Sequence, residues 1–329
     1  MDRRSFLAAS VAAAEAFRSS SAGGIIEQLG FGARFEKVDR RKVRRLSKTA
    51  HFTLFEPGIP AAYRVRPEEI VLVECSHGLP GLVTRDGRFT KPGPADKINP
   101  ATGPIYVEGV KAEEGLAVDL LDIQTGDWGY CAEHVYEIRE GQVIVSDRTR
   151  LPVEPMIGVV GITPAAGSMD TRRPAETGGN MDCRDVRAGT TVVFTTQVPG
   201  ALAGFGDAHA LQGDGEISGQ GLETDAEVLL RFRVLPQQLS KRPVLLRPGF
   251  VYTVGAHEDL AKAAWQATDD MVALVARTSG RVDDESRVLV NLLGRLIVNQ
   301  IVDPAKGARM EMPAWVFAPQ APPRAVKKP

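Results

Sequence analysis

Short apolar runs rich in β-branched residues, each entered from a polar turn, recur along most of this chain. Residues 66–69 lead into the run 70–75, residues 110–115 into 116–123, and residues 186–189 into 190–197. Runs of this length between turn residues predict strands joined as hairpins or Greek keys. Their side chains do not match closely enough to form a sequence repeat. Further strands are predicted at 105–109, 143–145, 156–162, 226–234 and 250–254, and residues 228–234 alternate partly, as a half-exposed antiparallel strand does. The periodicity changes late in the chain. Leu260, Ala264, Ala267, Met271, Leu274 and Val275 fall at helical spacing and predict a helix over 258–277 with an acidic first turn. Asp283-Asp284-Glu285 opens a second helix, with Val288, Leu289, Leu292 and Leu296 on one face, before a strand at 297–302. The pattern predicts an α+β fold that is β-rich, with antiparallel sheets in a sandwich or barrel-like arrangement and helices in the C-terminal third. One domain is expected over 46–317, between a leader and basic linker at 1–45 and a disordered Pro- and Lys-rich tail at 318–329.

Composition narrows the partners. Lys+Arg 40 against Asp+Glu 41 leaves a formal net charge of −1, which gives no electrostatic reason to expect nucleic acid or an anionic membrane surface. The basic run at 34–45 lacks the interleaved aromatics of a nucleic-acid platform and reads as a solvated segment. Arg3-Arg4 followed by an apolar run, with Ala14-Glu15-Ala16 as a small-x-small cleavage site, resembles a twin-arginine export signal and implies a periplasmic protein. The alternative is an ordinary extension on a cytoplasmic one. No stretch reaches the roughly 20 apolar residues that an integral membrane helix needs. Cys75, Cys131 and Cys183 are odd in number and far apart, and read as small hydrophobes, not as a disulfide framework or a thiolate zinc site.

The candidate chemistry lies between Gly178 and Glu223. Gly178-Gly179-Asn180-Met181-Asp182 forms one glycine-rich polar cluster, and residues 204–216 form another. A buried strand at 190–197 is expected to separate them. Asn180 and Asp182 are two apart, so an extended segment points both to one side, and Asp207 and His209 share that spacing. Together they make a cage of oxygen and imidazole ligands suited to a hard or borderline divalent metal. Asp214 and Glu216 repeat the spacing, and one of them is expected to stay off the metal as general base on a bound water. Taken singly, such residues are ordinary turn chemistry. Their density among Gly200, Gly204, Gly206, Gly213, Gly215, Gly219 and Gly221 exceeds what a hairpin needs. His51 and His134 read as surface or capping residues that could complete the site only by folding back. No His-Glu-x-x-His helix, Gly-x-Ser-x-Gly elbow or P-loop is present, and Gly204-Phe205-Gly206 continues into Asp-Ala-His, not a helix start. No cysteine has an activating partner in its local sequence.

Several motifs, in order, resemble the acetamidase/formamidase family. They are Asn99-Pro100-Ala101-Thr102-Gly103-Pro104-Ile105-Tyr106-Val107-Glu108-Gly109, Pro155-Met156-Ile157-Gly158-Val159-Val160-Gly161, Gly178-Gly179-Asn180-Met181-Asp182, Pro199-Gly200-Ala201-Leu202, Gly206-Asp207-Ala208-His209-Ala210, Gln212-Gly213-Asp214-Gly215-Glu216 and Asn299-Gln300-Ile301-Val302-Asp303-Pro304. The resemblance covers residues 46–316. It implies hydrolysis of short aliphatic amides to acid and ammonia, a β-rich α+β fold, a divalent metal (zinc or calcium) and homo-oligomers. Members often carry a His before the Gly-Gly-Asn triplet, where this chain has Thr177, and residues 122–150 fit the family pattern poorly. The resulting expectation is a metal held by Asn180, Asp182, Asp207 and His209, with Glu216 passing the water proton to the leaving ammonia and Glu108 orienting the amide nitrogen. The rival expectation is a non-catalytic periplasmic small-molecule-binding or structural β module with a structural metal.

Overall fold

The computed structural model describes residues 38–235 and 237–318. The paired-arginine leader, the basic run up to residue 37 and the tail from 319 onward lie outside the described residues.

Two sheets face each other. The first has nine strands in the order Arg44–Leu46, Ile70–Cys75, Ala226–Leu235, Gly115–Thr125, Thr190–Thr195, Val244–Arg247, Phe250–His257, Lys306–Pro313 and Arg295–Gln300. All neighbours are antiparallel except the first pair. Alternation along each strand assigns side chains to two cores. Leu116, Val118, Leu120, Val192 and Phe194 join Ile105, Ile157 and Phe205 of the second sheet in the inter-sheet core. Ala117 and Val193 face the other way, with Val251, Met271, Val275 and Met312, in a second core under the helices. The chain therefore stacks as sheet, sheet and helices.

Asp119 lies on the helix-side parity of its strand and is fully buried. Its carboxylate accepts from Arg231 Nε at 2.9 Å, Arg233 Nη2 at 2.7 Å and Thr191 Oγ1 at 2.6 Å. Burial alone would raise its pKa, but the hydrogen bonds from Arg233 and Thr191 outweigh it and hold the carboxyl below its ordinary value.

The second sheet positions the site. Its middle runs Trp128–Cys131, Leu222–Glu223, Ala203–Leu211, Met156–Gly161 and Gly178–Asn180. The entirely buried Met156–Gly161 strand stands between the two glycine-rich clusters, with Val159 opposite Asn180 on one side and Gly206 on the other. This corrects the expectation that residues 190–197 separate them. That strand ends at Thr195 and belongs to the other sheet, because Val192 and Phe194 fill the inter-sheet core while Val193 faces the helices.

The late helices are Leu260–Ser279 and Asp283–Leu293. Asp259 caps the first by accepting from Ala261 and Lys262 backbone N–H groups, so the acidic residue lies at the cap and the first turn holds none. The second helix is rotated from its expected face. Val288, Leu292 and the following Leu296 are exposed, while Ser286 and Val290 are buried and Leu289 and Leu293 pack inward. Small residues set this face: Ser286 is fully buried, and a Cβ on Gly294 would meet Met310 Sδ at 2.8 Å. Cys75 and Cys183 are buried, Cys131 is half-buried, and all three are free.

Candidate metal and catalytic site

Two antiparallel registers assemble the site. His209 lies opposite Glu223 across one strand pair, and Met156 lies opposite His209 across the next. Asp207 and His209, two apart on one strand, project to the same face, with His209 Nε2 at 3.6 Å from Asp207 Oδ1 and 3.0 Å from Glu223 Oε1. Asp182 reaches the same place by a turn. Met181 N donates to Gly179 O, and Asp182 takes a left-handed φ of 40°. Glu216 arrives by a second turn, in which its N–H bonds Gly213 O at 3.2 Å. Asp182, His209 and Glu216 form one group whose ligand atoms all lie within 4.8 Å of one another, and Asp207, His209 and Glu223 form another.

This crowding requires bare backbone nearby. A Cβ on Gly158 would stand 2.5 Å from Asp182 Oδ1 and 2.7 Å from Asp207 Oδ2. One on Gly221 would stand 2.5 Å from His209 Nδ1. The glycines around the site are therefore packing requirements as well as turns.

The imidazole has a defined tautomer. Gln212 Nε2 donates to Asp182 O at 2.7 Å, so its Oε1 faces His209 Nδ1, also at 2.7 Å. Nδ1 carries a proton held by Gln212, which leaves Nε2, between Asp207 and Glu223, as the nitrogen a cation would take. His209 Nε2, Asp207 Oδ1 and both Asp182 oxygens are buried with no hydrogen-bond partner among the described residues. Buried charges of this kind are paired or coordinate metals. The donor set, carboxylates around one imidazole whose other nitrogen is held by the Gln212 amide, fits a divalent cation.

The protein alone strains these charges. Burial raises Asp182 well above the ordinary carboxylate value, with Glu216 and Asp207 adding repulsion. Burial, with Asp207 and Glu223 adding to it and His209 partly offsetting it, pushes Glu216 up to about 8. Burial and the Asp207 charge push Glu223 up to about 7, and burial pushes Asp303 up to about 6. Burial opposes the charged form of His209, but Glu223 and Asp207 outweigh it and raise its pKa well above normal.

The remaining expected residues lie elsewhere. Asn180 borders the group through Asn99 and Asp303. Its Nδ2 donates to Asp303 Oδ2 at 2.8 Å, and its Oδ1 lies 3.4 Å from Asn99 Nδ2. Asp214 does not share a face with Glu216, because the loop is a turn with Gly215 at φ 95°. Its Oδ1 instead accepts from Arg309 Nη2 at 2.7 Å. Glu108 follows the end of its strand at Val107, is exposed, and lies 3.9 Å from Arg64 Nε. It stands in neither ligand group. Thr177 is buried with its hydroxyl against Met169 Sδ. His51 and His134 are exposed.

Sequence reasoning missed Glu223, Asp303, Asn99 and Gln212. Asn99 Nδ2 donates to Asp207 Oδ2 at 3.0 Å, and Glu223 Oε2 accepts from Gly78 N at 2.8 Å. His77 is buried and stacks edge-on against Trp128 and Tyr130. A usable signal existed for some of them. Asn99, Gln212 and Asp303 lie inside the motifs quoted above, and Gly221 directly precedes the Leu222–Glu223 strand.

Comparison with known proteins shows the family to which the chain belongs. A family model described as the acetamidase/formamidase family matches residues 158–259, which include Asp182, Asp207, His209, Glu216 and Glu223. The chain is 25% identical over 265 residues to an acetamidase of Mycolicibacterium smegmatis, covering 55% of this chain and 64% of that protein. It is 23% identical over 238 residues to a formamidase of Methylophilus methylotrophus, covering 50% of this chain and 58% of that protein. The chain thus spans less than two thirds of the length of either curated relative. Solved structures match more fully. A recombinant predicted acetamidase/formamidase from the thermophile Thermoanaerobacter tengcongensis superposes with a TM-score of 0.80 at 31% identity, over 83% of this chain and 96% of that one. An acetamidase from Bacillus halodurans superposes with a TM-score of 0.78 at 30% identity, over 83% of this chain and 98% of that one.

Proposed function

Because the chain belongs to the acetamidase/formamidase family, we propose that it hydrolyses the C–N bond of short linear amides, of the formamide or acetamide kind, to a carboxylate and ammonia. The observation that carries this reading is the set of buried, unpartnered ligand atoms on Asp182, Asp207 and His209 beside the Glu216 carboxyl. Asp182, Asp207, His209 and Glu223 would hold a divalent cation, zinc or calcium. When bound, such a cation supplies Lewis-acid charge that favours ionisation of water or polarises a carbonyl.

The chain's own residues divide the remaining work. Gln212 keeps the proton of His209 on Nδ1 and leaves Nε2 as a ligand. Asn99 and Asn180 fix the carboxylates of Asp207 and Asp303. Glu216 lies where the buried group meets the surface, since its chain neighbour Ile217 is 81% exposed. Its carboxylate takes a proton from the attacking water and returns it to the leaving nitrogen. The exposed Glu108 drops out of this mechanism, and Asp214 serves it from outside.

The test is ammonia release from formamide and acetamide, before and after chelation. The reading expects turnover that chelation abolishes and that zinc or calcium restores. Thermal stabilisation by an amide without ammonia release would overturn it in favour of a binding module. Assembly as a homo-oligomer and export through the residue 1–45 leader are proposed with it. Sedimentation and cell fractionation test these two separately.

A further inference from the structure

A buried arginine on the first sheet touches nothing that would react, yet it holds both halves of the site. Arg309, on the Lys306–Pro313 strand, is 2% exposed and is the largest fully buried side chain among the described residues. Its guanidinium is divided among three segments. Nε donates to Asp185 Oδ2 at 2.9 Å, Nη1 to Asn299 Oδ1 at 2.8 Å and Nη2 to Asp214 Oδ1 at 2.7 Å. Asp185 follows Asp182 by three residues, and Asp214 precedes Glu216 by two.

The backbone reinforces both attachments. Gly215 N donates to Asn299 O at 2.9 Å, and Ile301 N donates to Gly215 O at 3.2 Å, so the Glu216 loop is laid along the Arg295–Gln300 strand. A Cβ on Gly307, in Arg309's own strand, would lie 3.4 Å from Met181 O, so that strand also borders the Asp182 turn. One planar, permanently charged fork with separate acceptors fixes distance and angle together, which a point charge does not.

We propose that Arg309 is a positioning residue that sets the separation of Asp182 and Glu216 by clamping the Asp185 and Asp214 segments onto one strand. On the reading of the preceding subsection, this clamp acts on both cation binding and proton transfer. Asp214 is then the outer jaw of the clamp and not a base.

Asp214→Asn is the informative variant, because its side chain is 40% exposed and its loss opens no core cavity. Arg309→Lys keeps the charge without the fork, and Arg287→Gln, at an exposed pair with Asp269, is the control. Each chelated protein is titrated calorimetrically with zinc and with calcium, its melting temperature is measured, and kcat and KM are determined for acetamide. Asp214→Asn is expected to melt within about 3 °C of the parent. It should bind the cation about tenfold more weakly and lose about tenfold in kcat, while KM stays within about twofold. Arg309→Lys should share these losses, and Arg287→Gln should show none. In a Glu216→Gln background with the cation saturating, Asp214→Asn should change kcat by less than about twofold, since the kcat loss acts through the Glu216 carboxylate.

Parental cation affinity and kcat in both Asp214→Asn and Arg309→Lys would overturn the proposal. So would losses that multiply in the Glu216→Gln background, or a melting temperature that falls with affinity unchanged. If the parent protein releases no ammonia from any short amide, the hydrolase reading fails by itself, and the cation titrations still decide the role of Arg309.

Discussion

Glu216 and Gly158 separate chemistry from architecture at the level of single residues. Glu216→Gln keeps the shape of the side chain and removes its basicity. It is expected to lower kcat for acetamide by about 10²–10⁴-fold, measured by ammonia release, while elemental analysis finds cation content little changed. Gly158 contributes no side chain, yet a methyl group there would collide with Asp182 and Asp207 together. Gly158→Ala is therefore expected to weaken zinc or calcium binding by about tenfold or more, as read by titration of the chelated protein. Were the two results reversed, Glu216 would be a ligand and the Asp182–Asp207 pair a structural one.

Among elements, the strands were legible and the turns were not. Runs such as 70–75 and 156–162 announce themselves by β-branched content, and the strands at Ile70–Cys75 and Met156–Gly161 follow from burial on both faces. The two-residue rule found Asp207 and His209, which lie on a strand although Asp207 itself takes a left-handed φ of 56°. It failed for Asp214 and Glu216, where a left-handed glycine turns one side chain to Arg309 and the other inward. The sheet to which 190–195 belongs was equally hidden, since alternation tells which residues share a face but not which sheet owns it. The Gly115–Thr125 strand carries a prediction of its own. Asp119, held below its ordinary pKa, contributes stability that is present above its unfolded value near 3.8 and is lost as pH falls through the lower folded value. Urea midpoints should therefore drop progressively as pH falls below about 4, and Asp119→Asn should shrink that drop. At neutral pH the same variant should cost about 3 kcal/mol, because it removes the buried charged acceptor that Arg231 and Arg233 share.

For the whole molecule, the site is a long-range product. Its side chains come from Asn99, from residues 180–223 and from Asp303, and the Arg309 clamp crosses between the sheets. The family motifs carried these positions in the sequence, but spacing alone did not, because Asn99 is brought in by strand pairing within the second sheet and Asp303 only when the sheets close. A cation held by the folded site and not by the unfolded chain adds stability. At a free concentration about a hundred times its Kd, the gain is about 2.7 kcal/mol. Chelation should accordingly lower the melting temperature by roughly 5 °C, and calorimetry checks this before any substrate is added. The glycines packed against the site give the molecule one further property. Gly78 approaches Asp207 Oδ1, Gly158 approaches Asp182 Oδ1 and Gly221 approaches His209 Nδ1, each too closely for a methyl group. A saturation mutagenesis library sorted for activity would thus reject every substitution at these three positions as firmly as at the ligands themselves. The functional map of this protein would trace the outline of its site partly in residues that have no side chain.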